Sequence, residues 1–171
     1  YDLRWVSEPD DGQSDALNKG FEMADGDIVG WINSDDLYYQ RSVVGTAVER
    51  FTAESSLDVL YGSIAFIDAR SNITRFQPAV SFDAVALKGY NYIPQLSVFF
   101  DSRVVTENEL WTDLTFAMDY EYWLRFAAAG YTFARTSEVM AGYRMHDAAK
   151  GPSIGRAKLD EERQALRKEY G

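Results

Sequence analysis

The chain has 171 residues, of which 46% are hydrophobic and 26% charged, and a net charge of −10; that length fits one domain with a core of its own. The acidity excludes a general basic surface for nucleic acid. The absence of cysteine excludes disulfides and thiolate metal sites, and a single histidine, His146, excludes a poly-His site within one chain.

Leu3-Arg4-Trp5-Val6 reads as a short strand, and Ser7 to Gly12 as a turn by its Pro, Asp and Gly content. A helix is expected from about Gln13 to Ala24, with Leu17, Phe21 and Ala24 on one face. Gly26 suits its end. Ile28-Val29-Gly30-Trp31-Ile32 is apolar, β-branched and too short for an ordinary helix, so it reads as a buried strand. It ends abruptly at Asn33-Ser34-Asp35-Asp36.

Arg41 to Ala53 reads as a helix with Val44, Val48 and Phe51 on one face. Asp58 to Ile67 is one strand with a glycine irregularity or two strands, and Asn72 to Phe76 would pair with it. Phe82 to Leu87 is a short helix and Leu96 to Phe100 a strand. Phe116 to Ala129 is the strongest helical pattern, stopped by Gly130. Tyr131–Ala134 and Val139–Arg144 read as strands, Ala148–Gly155 as a loop, and Ala157–Glu169 as a charged, solvent-facing helix or tail. Alternation of helices and strands favours an α/β class. No apolar run reaches the roughly 18–20 residues of a membrane span, and no signal-peptide pattern is present.

Several segments carry groups suited to chemistry. Ligands in open α/β sheets sit beyond the carboxyl ends of strands, so Asp35 and Asp36 are placed to hold a hard divalent cation, Mg²⁺ or Mn²⁺, shared with phosphate oxygens. The alternative is a loop start that caps the next helix. Gly12 and Gln13 open the first helix, where free backbone N–H groups suit an anion. Asn18 and Lys19 are within reach of a phosphate or sugar hydroxyl; simple capping is the competing explanation for this segment. Asp25 and Asp27 flank the helix-to-strand turn at the opposite end of the strand. Asp119 and Glu121 open the Phe116–Ala129 helix, where a carboxylate is stabilised in its ionised form, as a general base requires. Dipole compensation explains them equally simply. Trp123 and Arg125 read as packing and surface charge. His146 suits Mn²⁺ as a late ligand or a structural hydrogen bond.

Together, Ser7–Phe21 with Ala24–Asp36, Pro94–Phe100, Ala117–Arg125 and Tyr143–His146 resemble, in order and spacing, a family-2 inverting glycosyltransferase. The resemblance implies a GT-A-like, Rossmann-related mixed sheet flanked by helices, formed by residues 1–171 as the C-terminal two-thirds of a catalytic domain that lacks the first strand–helix units. It implies a nucleotide-sugar donor, a glycan or lipid-linked acceptor, and a cytoplasmic setting, at most peripheral to a membrane. By analogy Asp36 and His146 would hold Mn²⁺ or Mg²⁺, Asp35 and the Gly12, Gln13, Asn18 and Lys19 segment would border the donor, and Asp119 would be the base.

Met118 stands where the family often has an acid, so only Asp119 carries over. The Gln-X-X-Arg-Trp signature of processive members is absent, which disfavours a polymerising synthase. The competing readings are a non-catalytic carbohydrate- or protein-binding module of the same fold and a metal-dependent phosphohydrolase or nucleotidyltransferase. Missing strands would leave an open sheet edge that favours a homodimer. They would also leave the chain by itself a weak nucleotide binder with little activity, so calorimetric titration of this chain with nucleotide and Mn²⁺ is expected to show no tight complex.

Overall fold

The structure is a computed structural model that describes residues 3–145 and 155–171. Helix α1 (Gln13–Met23) leads into strand β1 (Ile28–Gly30), then β2 (Leu37–Tyr38), α2 (Val43–Ala53), β3 (Val59–Ile67) and β4 (Ile73–Gln77). Helix α3 (Ala84–Gly89) precedes β5 (Phe99–Asp101), α4 (Ser102–Glu107), α5 (Met118–Ala129), β6 (Phe133–Arg144) and α6 (Arg156–Tyr170). The strands form one mixed sheet in the order β1-β5-β3-β6-β2, with β4 paired to β3. Only β3 and β6 run parallel; the other pairs are antiparallel.

Strands β3 and β5 are buried along most of their length, as expected of a sheet covered on both faces. Phe100 of β5 lies at the centre of the main core. Its ring stacks on Trp123 at 5.8 Å and meets Tyr122 and Phe126 edge-on at 6.0 and 6.4 Å. Helix α5 buries Met118, Tyr120, Glu121, Tyr122, Trp123, Leu124 and Phe126, so it is enclosed on nearly all sides. Gly130 ends it in the left-handed region at φ 82°. Trp123 is a packing residue, as its pattern predicts.

Several elements differ from expectation. Leu3–Val6 forms no strand: Leu3 and Trp5 are exposed, and Arg4 binds Met23 O and Asp25 at the end of α1. An apolar alternation without a neighbour to pair with does not become a strand. The segment after Ile28 leaves the sheet at Gly30, although Trp31 stays buried against Phe21. Leu96–Phe100 divides into a 3₁₀ turn at Gln95–Ser97 and β5. The two strands read after Tyr131 are one continuous β6. The short elements β2 and α4 were hidden by length and polarity.

Helix α2 turns inward a face shifted from the expected one, keeping Phe51 partly buried on it. Val43 and Ala47 are buried against Leu57, Leu60, Phe99 and Met140, while Val44 and Val48 stay about half exposed. Helix α6 is not wholly solvent-facing, since Leu166 and Glu162 are buried. The loop read at Ala148–Gly155 lies outside the described residues up to 154.

The irregularity at Gly62 is real. Strand β3 is continuous, but its register with β6 shifts between Tyr61 and Ser63. A Cβ on Gly62 would overlap Met140 and meet Glu138 O and Thr136 Cγ2 at 3.0 Å. Gly62→Ala is therefore expected to destabilise the fold by ~1–3 kcal/mol, the usual cost of overpacking, with a lower urea midpoint and an unchanged denaturant slope.

Candidate active site

The site is built where β1 ends. The chain leaves the sheet after Gly30, and the main-chain carbonyl of Trp31 accepts a 2.7 Å hydrogen bond from Gln95 Nε2. Asn33 then joins three segments. Its Nδ2 donates to Asp36 Oδ2 at 3.2 Å and to Gln95 Oε1 at 3.3 Å, and its Oδ1 accepts from Gln13 Nε2 at 3.2 Å. Neither Asn33 nor Gln95 stood out in the sequence. Asn33 directly precedes Ser34-Asp35-Asp36, and an amide beside paired acids was the only available signal.

Asp36 is fixed from its other side by β6. The pairing of Leu37 with Gly142 and Tyr38 with Ala141 brings Asp36 to the end of β6. There its Oδ1 accepts the Arg144 backbone N–H at 3.0 Å. The Arg144 guanidinium continues the clamp, donating to Asp35 O at 3.0 Å, Asp68 O at 3.2 Å and Ser71 Oγ at 3.0 Å. Arg144 is thus a site residue that the resemblance quoted without assigning a role. Burial raises the Asp36 carboxyl above its ordinary range. The Arg144 N–H and Asn33 amide act against that, and the Asp35 charge adds to it.

Each Asp36 oxygen accepts one hydrogen bond in this arrangement and retains a free lone pair. A partly desolvated carboxylate with spare lone pairs beside a second acid fits a hard cation that also takes water and phosphate oxygens. Among the described residues, no group of three His, Cys, Asp or Glu side chains gathers into an all-protein metal cage. His146 lies outside the described residues, one position beyond Met145, whose N–H binds Ile67 O at 2.8 Å.

Helix α1 borders the same region. Gly12, at φ 117°, takes a backbone conformation that favours glycine. It supplies no side chain to cap α1, and the first-turn Asp15 instead accepts the Asp11 N–H at 3.1 Å. Ser14 is buried and donates to Met118 Sδ at 3.3 Å, which ties the start of α1 to the start of α5. Asn18 and Lys19 have firm protein partners. Asn18 clamps Leu110 through both amide atoms, at 2.9 Å to its O and 2.8 Å from its N. Lys19 pairs with Glu8 at 3.0 Å and Asp15 at 3.1 Å. Gln13 therefore joins the acid pair's network directly through Asn33, while the Gly12 N–H binds Asp10 Oδ1 at 3.0 Å and Asn18 and Lys19 bind other segments.

Asp119, in the first turn of α5, is half-buried. Its Oδ1 accepts the Tyr120 N–H at 2.7 Å and its Oδ2 accepts Asn91 Nδ2 at 3.1 Å. The helix terminus alone favours an ionised carboxylate, but burial outweighs it and raises the carboxyl above its ordinary value. The bonds from Asn91 and Tyr120 and the charge of Arg163 act in the opposite direction. Asn91 Oδ1 is buried without a hydrogen-bond partner among the described residues. Glu121 faces elsewhere, binding Arg125 at 2.8 and 3.0 Å. A depression of about 790 Å³ formed by residues 106–113 and Arg125 contains none of these acids. Its arginine is committed to Glu121 and Glu109 O.

The family model for glycosyl transferase family 2 matches residues 2–121, well over half of the chain. The chain belongs to glycosyl transferase family 2. Two curated relatives from Mycobacterium tuberculosis strains, the uncharacterized glycosyltransferases MT1564 and Rv1514c, are each 31% identical over 125 residues. These alignments cover 72% of this chain and 47% of each relative, so the family-2 chain spans about half the length of the curated relatives it matches. Among solved structures, residues 1–349 of Staphylococcus aureus TarS in complex with UDP match with a TM-score of 0.59 at 16% identity, covering 92% of this chain and 44% of that TarS chain. A second structure of TarS residues 1–349 matches at 0.58 and 13%, covering 78% of this chain and 40% of that chain. The curled mixed sheet flanked by helices is thus the GT-A fold.

The raised Asp119 carboxyl has a stability consequence in the family-2 fold. An acid whose folded pKa exceeds its unfolded one contributes stability that is fully present below the unfolded pKa. That contribution is lost as pH rises through the folded pKa. Asp119→Asn removes the ionisation and keeps one hydrogen bond to Asn91, reversed in direction once the Asn91 amide turns over. Asp119→Asn is expected to melt a few degrees above the parent at pH 7–8, about the effect of 1 kcal/mol in a chain of this size. The gap should close as the pH falls below the ordinary aspartate range, as followed by thermal melts across pH.

Proposed function

We propose that the protein containing this chain is an inverting glycosyltransferase that moves a sugar from a nucleoside-diphosphate donor to an acceptor hydroxyl. One observation carries the reading. A half-buried carboxylate with a raised pKa, Asp119, is linked through the Ser14–Met118 contact and the Gln13–Asn33 hydrogen bond to the Asp35–Asp36 pair at the end of β1. A base and an anion-handling acid pair on separate segments suit in-line displacement.

An acceptor hydroxyl is a weak nucleophile until its proton leaves. Asp119 accepts that proton, and burial matches its basicity to the task better than that of an exposed aspartate. The acceptor oxygen forms a bond to the anomeric carbon while the bond from that carbon to the diphosphate oxygen breaks. The electron pair departs with the nucleoside diphosphate, and attack opposite the leaving group inverts the configuration. Asp36 and His146 would hold Mn²⁺ or Mg²⁺ together with the diphosphate, supplying positive charge to the leaving group. The Gly12–Gln13 turn presents the α1 N–H groups to the same anion, and Asp35 lies on the donor's border. Asn18 and Lys19 shape this border through Leu110, Glu8 and Asp15. The UDP bound to TarS supports a nucleotide-sugar donor here. The acceptor is a glycan or a lipid-linked glycan, and nucleic acid is disfavoured by the net charge of −10.

The test is release of nucleoside diphosphate by the intact protein from a panel of UDP-, GDP- and dTDP-sugars with Mn²⁺ and glycan acceptors. Asp119→Asn is expected to lower transfer at least ~100-fold, within the range usual for general-base removal, with nucleotide affinity nearly unchanged by calorimetry. Asp36→Asn should lose affinity for nucleotide and metal together. Full transfer by Asp119→Asn overturns the base assignment.

A further inference from the structure

Helix α6 follows the segment matched by the family model, yet it fastens the chain beside both members of the Asn91–Asp119 pair. Glu162, only 4% exposed, accepts backbone N–H bonds from Thr115 at 2.9 Å, Phe116 at 3.0 Å and Ala117 at 2.9 Å. These donors lie just before α5, whose own N-cap residue, Ala117, has no capping side chain. The Glu162 carboxylate therefore occupies the place of a missing cap, at the positive end of the α5 dipole.

On its other side, Arg167 Nη2 donates to Gly89 O at 2.7 Å, two residues before Asn91. Tyr170 OH donates to Glu121 Oε1 at 2.9 Å, two residues after Asp119. Leu166 is buried between these polar contacts in sequence, and the Phe116 ring lies so close to Gly155 that a Cβ there would overlap it. Tyr120 strengthens the link by donating to Leu87 O at 2.7 Å and Lys88 O at 2.9 Å.

We infer that Glu162 and Arg167 are positioning residues, through which α6 sets the Asn91–Asp119 hydrogen bond and the aim of Asp119 at the acceptor hydroxyl. The inference rests on the reading of Asp119 as the base. Helix α6 holds the main chain two residues before Asp119 and two residues before Asn91, so loosening either hold lets the pair separate. Misplacement of a reacting group by about 1 Å can cost on the order of 100-fold in rate.

The experiment compares Glu162→Ala, Glu162→Gln and Arg167→Ala in the intact protein, with Asp119→Asn in parallel. The Gln variant keeps one oxygen for Phe116 and Ala117. Arg167 is exposed, so its variant retains the fold even where Glu162→Ala does not. The first readout is the carboxyl ¹³C titration of Asp119. The Asn91 bond favours the ionised form, so its loss moves the titration to higher pH. The variants keep the other groups acting on Asp119, which are the Tyr120 and Asp119 backbone N–H groups on its own helix and the Arg163 charge on α6. The second readout is kcat with the donor and acceptor from the panel, against UDP affinity by calorimetry.

Expected are an alkaline shift of the titration and a kcat loss of ~10–100-fold for Glu162→Ala and several-fold for Arg167→Ala, with UDP affinity within about twofold and partial recovery in Glu162→Gln. An unmoved titration in folded Glu162→Gln and Arg167→Ala overturns the inference, as does an unchanged kcat in both. Transfer retained by Asp119→Asn overturns the base reading instead, and the titration still reports whether α6 braces the carboxylate.

Discussion

The amide of Asn33 is the interaction on which the site depends. A strand that leaves its sheet exposes main-chain groups, and the chain beyond Gly30 would be free to wander without partners. Asn33 takes one bond from the start of α1 and gives two, to Asp36 and to Gln95 of the 3₁₀ turn before β5. Gln95 in turn satisfies the Trp31 carbonyl. Three segments far apart in sequence are thereby held at one strand end, and the acid pair has a defined place.

The two carboxylates of the candidate site are held differently. Asp36 is anchored by main-chain geometry: β2, only two residues long, has its register set by β6, and that register brings the Arg144 N–H to Asp36. Asp119 is anchored by a side chain from another segment and by its own helix terminus. In both, burial raises the carboxyl above its ordinary range against hydrogen bonds that favour the charge. Such a group costs stability as an ion at neutral pH, and a raised carboxyl of this kind is characteristic of functional sites.

Much of the architecture was legible along the chain. The helices at Gln13–Met23 and Met118–Ala129, and the glycine irregularity in β3, follow from apolar spacing and glycine placement. The segments that misled were those where pattern and environment part company. Val44, Val48 and Phe51 form a good apolar stripe, yet of these only Phe51 packs on the core; α2 buries Val43 and Ala47, because a small Ala47 lets the helix approach Leu60 and Phe99. Ala157–Glu169 looks solvent-facing because its apolar stripe is sparse, with Leu159, Leu166 and Tyr170 set among many charges; Glu162 lies on that stripe and only its three main-chain donors distinguish it. Asn18 and Lys19 look free for a ligand in sequence, but their nearest partners are Leu110, Glu8 and Asp15.

By itself, the sequence determined the α/β class, the positions of the main helices and strands, the family resemblance, and which carboxylates could do chemistry. Those properties depend on local spacing and residue type, which are written along the chain. Only the tertiary structure decided which segments meet. It brought Gln13, Asn33 and Gln95 into one network, set Arg144 across the acid turn, and placed α6 against the residues that precede Asp119 and Asn91. Contacts of that kind depend on strand register and helix docking across tens of residues, and a lone amide or a single buried charge leaves no periodic trace from which to read them.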